Sequence, residues 1–442
     1  MSCRFERVVA VLVLAGPLLY MVTNCAPDPV LWRYSTGQLL AIVVYTVMAA
    51  GVVRSYRWKI HRALAGLRTW LVVLGFSLLS GTLMAELVLR AMHPARFTPT
   101  GTQGQYAADP DVGHRYLPNR DQFIVTREYR TPWRTNSQAV RADSDYGPKP
   151  PGVYRILAVG DSFTVGDQVT LDKTWPGVLE ARLLDAFGPG SVQVVNAGCA
   201  GYGTVNEARW IAKFGGRFEP DLVVLAMTPN DLIENHLPLQ YSARDGVLIN
   251  ANATEGTRRC SLDHQRWYSI PGYVARSRLR FLLRNMPVYR RLRYGTAYTH
   301  YRAYQIDQNE SSRNQYERTW RFLLQARDAS RTLGARFAIV AICFREQLYR
   351  MEPGLSPTIW QERLARFTGE HDIPFADVRP AFMAAGDPAA LYWAEDSHCT
   401  AEGYRIIGET VFSLVRDIVA KGRGEAHATP DAHRAAPDSN PP

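Results

Sequence analysis

Short apolar runs alternate with amphipathic segments from about residue 155 onward, and this alternation limits the fold more than any other feature. A run such as Arg155–Val159 is apolar at consecutive positions, which is typical of a strand buried on both faces of a parallel sheet. Repeated strand–helix units predict an α/β fold with helices on both faces of that sheet. The predicted strands are Arg155–Val159, Val192–Val195, Leu222–Ala226, Phe337–Cys343 and Pro374–Val378, and the predicted helices are Trp175–Phe187, Asn206–Phe214, Tyr316–Leu333, Thr358–Phe367 and Ala401–Val419.

The first 92 residues are mostly apolar and predict a membrane anchor. Three apolar stretches, Val8–Val22, Leu39–Val53 and Trp70–Leu89, are candidate transmembrane helices, and the third has roughly the 20 residues that a bilayer core requires. A cleaved signal peptide is the competing interpretation of the first stretch. An anchor is preferred because the residues after Val22 form a poor cleavage site and two further apolar stretches follow.

Basic residues in the connections predict the orientation of this anchor. The second connection is rich in arginine and lysine and contains no acid, whereas the first has only Arg33. Because positive residues favour the cytoplasmic side, everything after about residue 92 is predicted to lie outside the cytoplasmic membrane. The lipid bilayer is thus a predicted partner. The formal net charge of +10 is partly a consequence of this topology, and no nucleic-acid-binding motif accompanies it.

Composition divides the rest of the chain into three parts. Residues 93–150 are polar and rich in proline, glycine and aromatics, and are predicted to form an irregular arm that wraps onto the domain. Residues 151–421 form the α/β domain, interrupted by an insertion at about 232–314, and residues 422–442 are predicted to be a disordered tail. Within the insertion, Ala275–Arg293 is either an ordinary helix with a solvated basic face or a segment that lies on an anionic membrane.

Polar motifs follow three of the predicted strands, and a fourth precedes the last helix. Gly-Asp-Ser ends at Ser162, a glycine-rich turn contains Gly201, and Asn-Asp begins at Asn230. Asp396-Ser-His398 stands directly before the last helix. Each motif alone is typical of a turn or a helix cap. Since ligand sites in parallel sheets form beyond the carboxyl ends of the strands, the four together indicate one site.

These residue types suit nucleophilic attack on an acyl carbon. Ser162 is a weak nucleophile until a base takes its proton; His398 can be that base, with Asp396 fixing its tautomer. The Ser162 N–H, the Gly201 N–H and the Asn230 amide are candidates for an oxyanion hole. No CxxC motif or histidine cluster suggests zinc.

The four motifs resemble the blocks of the SGNH, or GDSL-type, hydrolase family, and bacterial membrane-anchored members in particular. The segments that carry the resemblance are Thr135-Asn-Ser, Gly160–Gly166, Asn196–Thr204, Pro220–Leu232 and Asp396–Tyr404. The resemblance implies a three-layer α/β/α, flavodoxin-like fold and ester hydrolysis without a metal or other cofactor.

Two positions depart from the pattern of that family. Thr228 stands where the third block usually has glycine, two places before Asn230. Many members place the acid three residues before the histidine, which would select Glu395, whereas the two-residue variant selects Asp396. Asp396 is preferred because its shorter side chain suits a tight turn. Asp161 and Asp231 are expected to hold loops by accepting backbone N–H groups.

Three functions remain open from the sequence. The first is a serine esterase that removes O-acyl groups, with acetyl preferred, from a cell-surface glycan. The second is an O-acyltransferase using the same covalent intermediate, and the third is a glycan-binding or assembly protein whose catalytic set is idle. The cysteines also leave alternatives: a Cys199–Cys399 disulfide, or buried free thiols at Cys199, Cys260, Cys343 and Cys399.

Overall fold

The computed structural model describes residues 36–55, 105–126, 128–235, 241–244, 247–250, 310–349, 354–393 and 396–428, with isolated positions between 15 and 84 and at 304. The chain divides into two compact units. The first comprises Met1–Pro99 and Ile249–Thr296, and the second comprises Thr100–Leu248 and Ala297–Pro442.

In the first unit, helix α1 (Thr36–Ser55) contains the second predicted apolar stretch. Within the described residues, no helix combines the length and the apolar character that crossing a membrane demands. The first stretch and most of the third lie outside the described residues, so the three-helix anchor stays a prediction.

Among the described residues, the second unit contains the following helices and strands, except that Ile249 and Asn250 of β9 belong to the first unit. In chain order these are β1 Tyr106–Asp109, β2 Gly113–Tyr116, β3 Asp121–Val125, β4 Arg130–Arg134, β5 Tyr154–Gly160, α2 Ser162–Val165, α3 Trp175–Phe187, β6 Val192–Asn196, α4 Thr204–Phe214, β7 Leu222–Met227, α5 Asp231–Glu234, β8 Tyr241–Arg244, β9 Val247–Asn250, α6 Glu310–Thr332, β10 Arg336–Ala341, α7 Ile359–Glu370, β11 Phe375–Asp377, α8 Arg379–Ala384 and α9 Ala401–Ala428.

Five of these strands form one parallel sheet in the order β11-β10-β7-β5-β6. The chain enters the sheet at β5, an interior strand, adds β6 as the edge strand on one side, and then returns to add β7, β10 and β11 on the other side. All seven residues of β5 are buried, as a central strand covered on both faces requires. The predicted α/β fold with a parallel sheet is confirmed.

Alternating side chains of β5 face two separate apolar clusters. Ile156 and Ala158 pack in a cluster that includes Leu179 of α3 and Val411 of α9. Leu157 and Val159 belong to a second cluster. The second cluster also includes Trp210 of α4, Leu323 of α6 and Leu364 of α7. The unit therefore has helices on both faces of the sheet and two apolar cores.

The arm is more regular than the sequence predicts. It contains two antiparallel hairpins, β1–β2 and β3–β4. Tyr106, Tyr116 and Trp133 are almost fully buried, and the rings of Tyr116 and Trp133 meet edge to face at 4.9 Å. These three side chains belong to the same apolar cluster as Leu157 of β5. The hairpins were not predicted, because strands of four and five residues with mixed polarity give no clear period in the sequence.

Helix α9 continues beyond the predicted domain end at residue 421. It runs to Ala428, so the prediction of disorder is wrong for residues 422–428. Arg423 explains the extension: its guanidinium donates to the carbonyls of Gly152 and Ser191 and lies 5.8 Å from the Phe187 ring. Residues 429–442 and Ala275–Arg293 lie outside the described residues.

Candidate active site

The predicted polar motifs lie where the strand order of the sheet reverses. The chain leaves β5 into α2 and leaves β7 into α5, and these two strands are neighbours in the sheet. A crevice at the carboxyl ends of such strands is the usual ligand site of an open parallel sheet. Ser162 begins α2 and Asn230 directly precedes α5.

The Gly-Asp-Ser motif leads from β5 into the one-turn helix α2 through a closely packed turn. Asp161 caps α2, since its Oδ1 accepts the Phe163 N–H at 2.8 Å. A Cβ added at Gly160 would lie 2.1 Å from the Thr164 hydroxyl, so the strand must end in glycine. Gly166 closes the turn at φ 68°, in the left-handed region. The motif thus makes the turn and also places the Ser162 side chain at its tip.

His398 connects Ser162 to Asp396. The Nε2 atom of His398 lies 2.8 Å from Ser162 Oγ, and its Nδ1 atom lies 2.6 Å from Asp396 Oδ1. An imidazole protonated on Nδ1 would donate to Asp396 and accept from the Ser162 hydroxyl. The structure therefore brings together the three side chains that the sequence selects. The alternative acid, Glu395, lies outside the described residues.

Asp396 reaches the histidine two residues away through an unusual backbone. Ser397 has φ 69°, a left-handed conformation that non-glycine residues seldom adopt. With this turn, Asp396 Oδ1 accepts both the ring Nδ1–H and the backbone N–H of His398, the latter at 3.3 Å. Strain of this kind is concentrated at functional sites.

Opposing effects set the charges of this pair. Burial alone would raise the pKa of Asp396, but hydrogen bonds and charge from His398, together with the Tyr129 hydroxyl, lower it below its ordinary value. Burial alone would lower the pKa of His398, but Asp396 raises it above its ordinary value of 6.5. Asp396 is therefore ionised at neutral pH, and its negative charge favours the protonated form of His398.

Gly201 lies in a turn that leaves N–H groups available. The Tyr202 N–H closes the turn on the Cys199 carbonyl at 3.2 Å, and Gly201 has φ 80°, which favours glycine. The Cys199 N–H bonds the Gly160 carbonyl at 2.9 Å, which ties this turn to the end of β5. Among the hydrogen bonds of the described residues, none uses the N–H of Ser162 or Gly201 as donor.

The Asn230 amide is held by two acidic side chains. Its Nδ2 donates to Glu234 Oε2 at 3.0 Å and to Asp161 Oδ2 at 3.3 Å. The Thr228 hydroxyl contacts the side-chain oxygen of Asn230, Oδ1, and donates to Asp161 Oδ2 at 2.8 Å. The threonine that replaces the glycine of the family pattern thus tethers this loop to the turn that carries Ser162. As predicted, Asp161 and Asp231 accept backbone N–H groups, from Phe163 and Thr228.

The carboxylate of Asp396 has two hydrogen-bond donors that the sequence did not select. Tyr129, in the turn between β3 and β4, donates its hydroxyl to Asp396 Oδ2 at 2.7 Å. Gln168 donates its amide to Asp396 Oδ1 at 3.2 Å, and its own carbonyl oxygen accepts the Tyr404 hydroxyl at 2.8 Å. No local pattern in the sequence marks Tyr129 or Gln168.

The first hairpin of the arm holds the glycine-rich turn. His114 Nε2 lies 2.9 Å from the Ala200 carbonyl oxygen, and the Ala200 N–H donates to the Tyr116 hydroxyl at 3.2 Å. The Tyr202 hydroxyl donates to the His114 carbonyl at 2.7 Å. Both hairpins of the arm therefore contact loops of the candidate site.

Cys199 and Cys399 are buried free thiols, as is Cys343. The Cys199–Cys399 disulfide is therefore not formed, although each of these cysteines adjoins a site residue. Cys260 lies outside the described residues. In the part of the chain that the structure describes, no group of histidine, cysteine and acidic residues is arranged to hold a metal ion.

A parallel sheet with hydrogen-bonded serine, histidine and aspartate side chains at its switch point defines an α/β protein with the Ser–His–Asp arrangement of serine hydrolases. Residues 158–406 match the model of the GDSL-like lipase/acylhydrolase family. The match covers more than half of the chain and includes all five predicted site residues. The chain belongs to this family, and at the level of the family the prediction of a hydrolase acting on ester bonds is confirmed.

Individual proteins share smaller parts of the sequence. An arylesterase from Vibrio mimicus is 30% identical over 96 residues, which are 22% of this chain and 47% of that protein. The chain thus spans about half the length of this curated relative. A G-D-S-L family protein from Desulfitobacterium hafniense is similar in structure, with 13% identity, coverage of 59% of this chain and 98% of that one, and a TM-score of 0.33. An acetylxylan esterase from Geobacillus stearothermophilus has 17% identity, coverage of 61% and 96%, and a TM-score of 0.34.

Proposed function

We propose that the chain is a membrane-anchored, extracytoplasmic serine esterase that cleaves O-acyl esters through a covalent acyl-enzyme. The observation that carries this proposal is the continuous hydrogen-bonded chain from Ser162 through His398 to Asp396, with separations of 2.8 and 2.6 Å. Both distances are within the reach that proton transfer requires.

The reaction follows from these contacts. Ser162 Oγ attacks the acyl carbon of the ester while its proton passes to His398 Nε2. Asp396 stabilises the imidazolium that forms. As the tetrahedral intermediate collapses, the alcohol leaves with the proton from His398, and Ser162 retains the acyl group. Water, activated by His398, then attacks the acyl carbon and releases the carboxylic acid together with free Ser162.

In this proposal, three hydrogen-bond donors stabilise the negative charge that develops on the acyl oxygen. The N–H groups of Ser162 and Gly201 are the first two. Asn230 is the third, and its amide must exchange one of its present acceptors, Asp161 or Glu234, for the oxyanion. One such donor is worth about 10²–10³ in kcat.

The substrate class rests on the predicted location of the domain. Basic residues between the second and third apolar stretches support an extracytoplasmic position for the site. Esters available there include the O-acyl groups of surface glycans, and we propose acetyl groups on such a glycan as the substrate. The arylesterase relative supports ester cleavage but not the identity of the alcohol.

Ester cleavage is tested on the purified full chain with 4-nitrophenyl acetate. The wild-type chain is expected to release nitrophenol, and Ser162→Ala is expected to reduce kcat by roughly 10⁴–10⁶. Equal release by the two proteins would contradict the proposal. Adding an acetylated oligosaccharide and a free sugar acceptor separates the alternatives, because an esterase yields acetate whereas an acyltransferase yields newly acylated acceptor.

A further inference from the structure

The arm donates a hydrogen bond to the carboxylate oxygen of Asp396 that does not contact the His398 ring. The Tyr129 hydroxyl donates to Asp396 Oδ2 at 2.7 Å, across 267 positions of sequence. Oδ2 is the oxygen that His398 does not use, since the ring Nδ1 contacts Oδ1. Tyr129 and His398 thus hold opposite oxygens of one carboxylate and together fix its plane.

The Tyr129 hydroxyl is suited to donating this bond. Burial, together with the nearby charge of Asp396, raises the pKa of Tyr129 well above its ordinary value of 10.0. The phenol therefore keeps its proton throughout the range in which His398 titrates. Asp396, whose pKa is lowered, accepts as a carboxylate.

The turn that carries Tyr129 is itself fixed. The Tyr129 N–H donates to the Thr126 hydroxyl at 3.2 Å, and the Thr126 N–H donates to the Tyr129 carbonyl at 2.9 Å. The Tyr129 ring lies 5.4 Å from that of Trp393, in the loop that leads to Asp396. Glu128 accepts the Asp396 backbone N–H at 2.8 Å. One turn of the arm thus holds both the carboxylate and the backbone N–H of Asp396.

The same hairpin also binds the segment that follows the nucleophile. The Thr131 hydroxyl donates to the Gln168 carbonyl at 3.0 Å, and the Trp133 indole donates to Asp167 at 2.8 Å. Hairpin β3–β4 therefore spans two chain segments: the one that follows Ser162 and the one that carries Asp396 and His398. Misplacement of reacting groups by about 1 Å can cost roughly 10²-fold in rate, so such a connection has catalytic consequences.

We propose that Tyr129 is a positioning residue for the proposed reaction, and that through it the arm completes the active site rather than merely covering the domain. The proposal rests on the esterase function. Tyr129 acts through Asp396 and does not touch the reacting atoms.

The test compares Tyr129→Phe with Tyr146→Phe in the full chain. Tyr146 is a matched control, because it lies in the same arm and its hydroxyl also makes one bond, to the Val194 carbonyl at 3.2 Å, away from Asp396. With 4-nitrophenyl acetate, we expect Tyr129→Phe to lower kcat about tenfold with KM unchanged. Tyr146→Phe should keep wild-type kcat. Similar losses in both variants, or no loss in Tyr129→Phe, would overturn the proposal.

The pH profile supplies a readout that a purely structural contact would not change. Without the phenol, Asp396 loses one hydrogen-bond donor, so its negative charge interacts more strongly with protonated His398. The pKa of His398 should therefore rise. The acid limb of kcat/KM should then move to higher pH in Tyr129→Phe and stay in place in Tyr146→Phe. An unmoved limb in Tyr129→Phe would contradict the positioning role.

A measurement independent of turnover separates this proposal from the proposed function. The pKa of His398 can be read from the ring resonance of ¹³C-labelled histidine, assigned with His398→Gln. If the wild-type chain has no Ser162-dependent turnover but Tyr129→Phe still raises this pKa, the esterase proposal fails and the contact stands. If turnover is present but the pKa is the same in both proteins, the positioning proposal fails alone.

Discussion

Ser397 shows how a single backbone conformation determines the geometry of an acid–base pair. Its φ of 69° folds Asp396 back onto His398, so that one carboxylate oxygen accepts from both the ring and the backbone of the histidine. A non-glycine residue in this region carries strain of about 1–2 kcal/mol. The two-residue spacing between the acid and the base depends on it.

Substitution at Ser397 tests that dependence. Ser397→Gly should keep activity and leave the free energy of unfolding unchanged or slightly higher, because glycine adopts this conformation without strain. Ser397→Val should lower both, since a β-branched side chain tolerates positive φ poorly. The measurements are denaturant unfolding and ester turnover of the two variants. Equal behaviour of the valine and glycine variants would show that the turn does not matter.

At the residue scale, the sequence predicts those site residues that directly adjoin a recognisable strand or helix. Ser162 and Asn230 each follow a buried strand, and His398 precedes a helix, so their neighbours along the chain identify them. Tyr129 and Gln168 were missed because their contacts with Asp396 span 267 and 228 positions. Only the folded chain brings such side chains together.

At the scale of elements, the site depends on close contact between the β6–α4 loop and α2. A Cβ at Gly198 would lie 2.3 Å from the Val165 nitrogen and 2.7 Å from the Thr164 carbonyl carbon, which are backbone atoms that cannot move aside easily. Asn196 reinforces the contact by donating to the Thr164 carbonyl at 3.0 Å. The loop that carries Gly201 is therefore positioned directly against the turn that carries Ser162.

Gly198→Ala should force these two elements apart. We expect it to lower the free energy of unfolding by about 1–3 kcal/mol and to reduce ester turnover. Gly147→Ala is the control, because an added Cβ there meets nothing within 4 Å. Thermal unfolding and turnover are measured for both variants. If the two alanine variants were equally stable and active, the close approach would not be required.

Core elements were easier to predict than peripheral ones. The strands of the parallel sheet are continuous apolar runs, and each was found to within a few residues. The short hairpins of the arm were missed because strands of four and five residues with mixed polarity show no clear period in the sequence. The end of α9 was missed because no local stop signal marks it. The last turns of the helix are held instead by the hydrogen bonds of Arg423 to the distant Gly152 and Ser191 carbonyls.

At the scale of the whole molecule, four acidic side chains are gathered at the switch point of the sheet: Asp161, Glu207, Asp231 and Glu234. Burial raises the pKa of each of them, and mutual repulsion adds to the effect for Glu207, Asp231 and Glu234. For Glu234 the pKa rises to about 8. Both carboxyl oxygens of Glu207 are buried without a hydrogen-bond partner among the described residues.

These groups make the stability of the fold depend on pH. The folded state retains their protons to higher pH than the unfolded chain, whose glutamates titrate near 4.5. Their contribution to stability is therefore complete below the unfolded pKa values, 3.8 for the two aspartates and 4.5 for the two glutamates, and is lost as pH rises toward the raised pKa values of the folded state.

Glu207→Gln should weaken this dependence, because the amide has the same shape and cannot ionise. At pH 5 the variant and the wild-type chain should unfold at similar temperatures, and at pH 9 the variant should unfold at the higher temperature. Each 1 kcal/mol corresponds to roughly 2–4 °C for a domain of this size class. Parallel curves for the two proteins between pH 5 and 9 would show that Glu207 is not protonated in the fold.

The central claim is that His398 and Asp396 activate Ser162 as a nucleophile, and covalent labelling with a fluorophosphonate tests it most directly. Peptide mass spectrometry should find the adduct on Ser162 of the full chain. The labelling rate should rise with pH through a pKa above 6.5, because a protonated His398 cannot accept the serine proton. His398→Ala should label far more slowly. No adduct at Ser162, or equal rates in the wild-type chain and His398→Ala, would contradict the account.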